Sequence, residues 1–151
     1  MQARLGTMQQ LAPDGFKALR GLEMFVHRSP VADSTLELVR LRASQINGCG
    51  FCVDMHSRDA KKAGETDERL FTVASWREAP YFTDAERAAL ALTEAATRIA
   101  DNPHGVPDDV WNDAATHYDE ESLAALIMSI AAINAWNRLN VTTRRPAGAQ
   151  P

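Results

Sequence analysis

Cys49 and Cys52 are separated by Gly50 and Phe51, and His56 follows four residues after the second cysteine. On a helix these positions are spaced i, i+3 and i+7, which puts their side chains on one face. Two cysteines one turn apart at a helix start can close a disulfide with little movement. The free amides and macrodipole of that helix end stabilise a thiolate. An imidazole one turn below Cys52 can take its proton or hold its anion. All these effects favour the nucleophilic form of sulfur, so the pattern reads as thiol redox chemistry. Two other readings stand beside it. The cysteines could be small apolar residues of a core. They could also join His56 and one of Asp59, His27, His104 or His117 around zinc, although no second CxxC or His-x3–5-His completes such a set.

Helices must position this face. Alternation of period two is almost absent, and apolar residues recur at steps of three and four. Pro13 suits a first helical turn, with Phe16, Leu19, Leu22 and Val26 behind it and Ser29-Pro30 as the end. Ser34 and Glu37 have the spacing of a capping box that opens a helix carrying Leu36, Val39, Ala43 and Ile46. Asn47-Gly48 ends it. The next helix runs from Gly50 to Lys62 and is closed by Gly64. Another follows Thr66, with Leu70, Val73 and Trp76 inward, and stops at Pro80. Thr83 and Glu86 form a second capping box before Leu92, Ala95, Ala96 and Ile99. Asp101 to Gly105 is a loop, and Pro107 opens a short helix through Val110, Trp111 and Ala114. The last helix spans Glu121 to Val141, with Leu123, Ile127, Ile130, Ile133 and Asn137 on one side. The expectation is one all-α domain over residues 1–151, a bundle of six or seven helices. Arg144 and Arg145 are expected at a solvated end, and the tail from about 146 is expected to fray.

The composition narrows the function. The chain has 151 residues, 45% hydrophobic and 24% charged, which is ordinary for a globular domain. A net charge of −4 argues against a broad nucleic-acid footprint. Two cysteines cannot form a disulfide scaffold. The first ten residues lack the apolar stretch of a secretory signal. Leu123 to Ile133, the most apolar run, is shorter than the ~20 residues of a membrane span. These features predict a cytoplasmic protein that does not enter a membrane. Trp76, Trp111 and Trp136 are expected as core or interface anchors. Asn134 and Asn137 lie on an apolar helix and need partners if buried, which a subunit contact could supply.

Glu37-x11-Cys49-x2-Cys52-x3-His56 resembles the core motif of the AhpD-like alkyl hydroperoxidases, members of the carboxymuconolactone decarboxylase superfamily. The likeness extends to Thr83-Asp-Ala-Glu-Arg-Ala-Ala-Leu90 and Asn134-Ala-Trp-Asn-Arg138. It implies an AhpD-like helical domain and a thiol-dependent peroxidase or disulfide oxidoreductase of antioxidant defence. By that likeness Cys52 attacks the peroxide and Cys49 resolves the resulting sulfenic acid, while His56 and Glu37 relay protons. No cofactor is implied, because the sulfurs carry the electrons. The partners implied are a hydroperoxide or disulfide substrate, a dithiol reductant (lipoyl-protein or thioredoxin-like) and further copies of the chain, as a trimer or hexamer. One position departs from the pattern. Active family members often carry histidine before the second cysteine, and this chain has Phe51. A decarboxylase of the same superfamily and a non-catalytic redox-sensing oligomer are the alternatives.

The residues alone leave two points divided. Glu37 can cap with Ser34. If the helices fold back at Gly48, it can instead meet His56, with a mismatch of ~6 Å along the axis. The helix dipole favours Cys49 as nucleophile and His56 favours Cys52. An imidazole at contact distance outweighs a dipole effect of ~0.3–1 kcal/mol, so Cys52 is the expected nucleophile.

Overall fold

The computed structural model describes residues 2–149, and every regular element among them is helical. In chain order these are α1 (Met8–Leu11), α2 (Pro13–His27), α3 (Asp33–Ile46), α4 (Gly50–Lys62), α5 (Asp67–Thr72), α6 (Asp84–Thr97), α7 (Asp108–His117) and α8 (Glu120–Thr143). Single turns of 3-10 helix follow α5 at Val73–Ser75 and α6 at Ile99–Asp101. The seven helices expected from periodicity are all present. The short α1 brings the number described to eight.

Local chemistry explains most of the ends. Pro13 occupies the first turn of α2. The Thr83 hydroxyl accepts from the Glu86 amide (3.2 Å) while the Glu86 carboxylate accepts from the Thr83 amide (2.8 Å), a complete capping box on α6. Thr66 and Asp119 cap α5 and α8 through their side chains. Ser34 does not cap: α3 begins at Asp33, behind Ala32 and with no side-chain cap, so Ser34 lies within its first turn. Glu37 is drawn away by stronger charged partners.

The core forms around α3, which is buried on more than one side. Leu36 and Val39 pack with Val26 of α2, Leu92 of α6, and Leu126 and Ile130 of α8. Leu38 and Leu41, outside the expected stripe, pack instead with Val73, Trp76, Phe82 and Leu90. Burial of this kind removes most of the apolar surface of α3 from water and drives the packing. Beside Trp76 the buried carboxylate of Glu94 gathers several donors. Glu94 accepts from Arg42 Nε (2.7 Å), Arg77 Nη1 (2.7 Å) and Trp76 Nε1 (3.1 Å). Burial pushes the Glu94 carboxyl up, but the hydrogen bonds from Arg77, Arg42 and Trp76 overcome it and hold the group at about 2.

α8 has the length and mean hydropathy (1.2) of a membrane span, yet half of that stretch is buried inside the protein. It packs against α2, α3, α4, α6 and α7, as a central core helix does. Half-buried Asn134 and buried Asn137 find partners within the chain. Asn47 Nδ2 donates to Asn134 Oδ1 (3.0 Å) and Asn137 Oδ1 (2.9 Å), and Asn137 Nδ2 donates to Ser44 Oγ (3.0 Å). No subunit contact is needed to satisfy them. Two apolar expectations are corrected. Ile127 is 43% exposed, because it sits about a quarter turn from the buried line through Leu126, Ile133 and Asn137. Ile99 is 56% exposed, in the 3-10 turn beyond α6. Of the tryptophans expected as core or interface anchors, Trp76 is buried, Trp136 meets Phe16 edge-on, and Trp111 is 42% exposed on α7, outside the core.

Candidate active site

The site begins where α3 ends. Gly48 adopts a φ of +66°, a conformation costly for other residues, and turns the chain back so that α4 packs along α3. Cys49 is extended and caps α4, accepting a hydrogen bond from the Cys52 amide at 3.3 Å. The helix terminus therefore acts on Cys49, which lies just outside the helix rather than on its face. Cys49 and Cys52 are joined as a disulfide, with Cα atoms 5.3 Å apart, and each residue is 1% exposed.

The fold-back sets Glu37 against His56. Glu37 Oε2 lies 2.8 Å from His56 Nδ1, and Glu37 Oε1 accepts from Arg40 Nη1 at 2.7 Å. Arg40, almost wholly buried, reaches Glu23 Oε2 with its other amino group at 2.9 Å. Burial pushes the Glu37 carboxyl up, but His56 and then Arg40 more than offset it, so Glu37 titrates below the usual carboxylate range. A charged carboxylate on Nδ1 orients the ring and leaves Nε2 for proton traffic. Four side chains from α2, α3 and α4 thus form one hydrogen-bonded series: Glu23, Arg40, Glu37, His56.

A pocket of 530 Å³ opens over this series. Phe16, Phe51, Met55, Ile133 and Trp136 give it apolar walls, and Cys52, His56, Glu37 and Asn140 line its polar part. Cys49 is not among the lining residues. Asn140 Nδ2 of α8 donates to Cys52 Sγ at 3.4 Å. Arg145, expected at a solvated end, stacks its guanidinium 3.9 Å from the centre of the Phe51 ring and lines the pocket. The tail that carries it stays against α4, where the Gly148 amide donates to Asp54 Oδ2 at 3.0 Å. Residues 150 and 151 of the expected frayed tail lie outside the described residues.

The structure brings Glu37, Cys49, Cys52 and His56 together. Of the other candidates, Asp59 and His27 line the same pocket but pair with other groups, Asp59 with Lys62 (2.9 Å) and His27 facing Asp33 (3.8 Å), while His117 faces Asp113 (3.9 Å) and His104 is in the loop before α7. Among the described residues no three His, Cys, Asp or Glu side chains group as a metal site.

The sequence pattern of the Carboxymuconolactone decarboxylase family matches residues 11–95, more than half of the chain. The chain belongs to that family. It is 38% identical over 141 residues to the uncharacterized protein YdfG of Bacillus subtilis, covering 93% of this chain and 95% of that one. A crystal structure from Agrobacterium tumefaciens, of a protein of unknown function provisionally called an AhpD antioxidant defence protein, superposes with a TM-score of 0.91. It shares 35% identity over 99% of this chain and 100% of its own. The alkyl hydroperoxide reductase AhpD of Streptomyces coelicolor is 38% identical over 90 residues, 56% of this chain and 51% of that protein. The carboxymuconolactone decarboxylase match includes α3 and α4, and so all four of Glu37, Cys49, Cys52 and His56.

Four site residues escaped the sequence reading. Arg40 could have been found, because it stands three residues after Glu37 on one helix, the spacing of an ion pair. Glu23, Asn140 and Arg145 reach the site only through packing of α2 and of α8 with its C-terminal extension. No local pattern announces them.

Proposed function

We propose that this protein is a thiol-dependent hydroperoxidase and disulfide oxidoreductase. The observation that carries the reading is the pairing of Cys52, on the pocket floor, with a disulfide partner behind it and the His56–Glu37 pair beside it. In the reduced enzyme the Cys52 thiolate attacks the terminal peroxide oxygen. The O–O bond breaks, Cys52 becomes a sulfenic acid, and the departing alkoxide takes a proton to leave as an alcohol. The Cys49 thiol then displaces the sulfenic hydroxyl as water and forms the disulfide seen here. A dithiol returns both thiols and is itself oxidised to a disulfide. His56 Nε2 supplies the base for Cys52, held in place by ionised Glu37.

The reductant proposed is a lipoyl-bearing or thioredoxin-like dithiol, and the assembly a trimer or hexamer, with exposed Ile127 and Met128 on α8 available for contact. The test is peroxide consumption by wild type, Cys49→Ser and Cys52→Ser, with dithiothreitol and then dihydrolipoamide as donor. Turnover by wild type and its loss in Cys52→Ser is the expected result. Equal consumption by all three proteins would refute the reading.

A further inference from the structure

The two sulfurs of the pair receive their hydrogen bonds from different parts of the molecule. Cys49 Sγ accepts from the Cys52 backbone amide, a local consequence of capping α4. Cys52 Sγ accepts from Asn140 Nδ2, a side chain 88 residues away in the last turns of α8. The donor is built in. Asn140 is 9% exposed, it lines the same pocket as Cys52, and its backbone carbonyl accepts from the Arg145 amide at 2.9 Å. The chain following α8 is therefore anchored at the residue that meets the sulfur.

We propose that Asn140 is a further catalytic residue of this site, a neutral donor that holds the Cys52 sulfur as a thiolate and aims it at the pocket. A hydrogen bond to an ionised group is stronger than one to the neutral group, so a donor fixed on Sγ favours the anion. Asn140 is suited to this because its amide keeps donating over the whole pH range in which a thiol titrates, whereas a histidine there would switch. Capping of α4 and the Asn140 contact then divide the labour: the helix end steadies the resolving sulfur, and α8 steadies the attacking one.

This inference rests on the assignment of Cys52 as the attacking sulfur, and the test avoids peroxide so that the two can fail separately. The rate of iodoacetamide alkylation is followed against pH in reduced Cys49→Ser, where only Cys52 reports. Serine is also a good N-cap, so α4 keeps its start. Adding Asn140→Leu should move the alkylation midpoint of Cys52 up by about one pH unit, about tenfold less thiolate at neutral pH. Asn140→Asp, nearly the same shape but with an oxygen and a charge in place of the donor, should move it at least as far. It keeps the test open should leucine disturb α8. In Cys52→Ser, where Cys49 reports, the same changes should leave the midpoint where it was. An unmoved Cys52 midpoint in a folded Asn140 variant, or equal shifts of both thiols, would overturn the proposal.

Discussion

Glu37 Oε2 bridges to His56 Nδ1 at 2.8 Å across nineteen residues of sequence, tying α3 to α4 beside the disulfide. Glu37→Gln keeps the size and one hydrogen bond but removes the carboxylate charge that holds the His56 ring in place. The ring is the base proposed for Cys52. Thiol reactivity at neutral pH should fall about tenfold to hundredfold, and the pH–rate profile should move to higher pH. Stopped-flow alkylation across pH 5 to 9 (about four units, spanning the usual His and Cys values) checks both. An unchanged profile would make Glu37 a packing residue.

Cys52 borders the pocket and Cys49 does not, so the two cysteines should differ towards a sulfenate trap. Cys49→Ser treated with peroxide and a dimedone-type reagent should accumulate the adduct, and Cys52→Ser should not. His56→Ala should slow trapping by raising the thiol's apparent pKa towards ~8.5. Mass spectrometry of the tryptic peptide locates the adduct. Trapping confined to Cys52→Ser would put the helix end in charge.

With Cα atoms 5.3 Å apart, the cysteines are placed for intramolecular oxidation. Mild oxidant should consume two thiols per chain and remove two hydrogens from the intact mass, both reversed by dithiol. Intermolecular dimers as the main product would contradict the geometry.

Glu94 makes stability depend on acid pH, and the sign follows from its partners. Its folded-state value of about 2 lies below the ordinary carboxylate value, so the unfolded chain binds more protons between the two. The stabilisation is complete above the ordinary value and is lost as pH falls towards about 2; Glu37 and Glu86, also lowered, act in the same direction. Glu94→Gln should cost roughly 3 kcal/mol at neutral pH and flatten the acid slope, because Arg42 and Arg77 lose their counter-charge. Urea midpoints measured at several pH values give both quantities.

Asn137 is fully buried between Asn47 and Ser44. Asn137→Ala removes one of the two partners of Asn47 Nδ2 and of Ser44 Oγ and opens a small cavity. A loss of about 2–4 kcal/mol is expected, with the disulfide still able to form. Thermal unfolding and thiol counting on the same sample separate the two effects.

How much of this was legible in the chain depends on the range of each interaction. Helix starts at Pro13, Thr66 and Thr83, the stop at Asn47-Gly48, and the span of α4 follow from contacts within a turn or two. Residue type and spacing therefore determined them, along with the Cys49, Cys52 and His56 grouping. Expectations failed where a distant partner competed. Glu37 left Ser34 because Arg40 and His56 offer charge in a buried setting, which a hydroxyl cannot match. Apolarity alone points Ile127 and Ile99 inward, but the buried side of a helix is set by its neighbours. The asparagines of α8 could be marked as needing partners, yet only the packing of α3 on α8 shows that Asn47 and Ser44 supply them. Asn140 on Cys52 and Arg145 on Phe51 belong wholly to the tertiary structure. They lie almost a hundred residues from the motif, and one hydrogen bond and one stacked cation leave no periodic trace in a sequence.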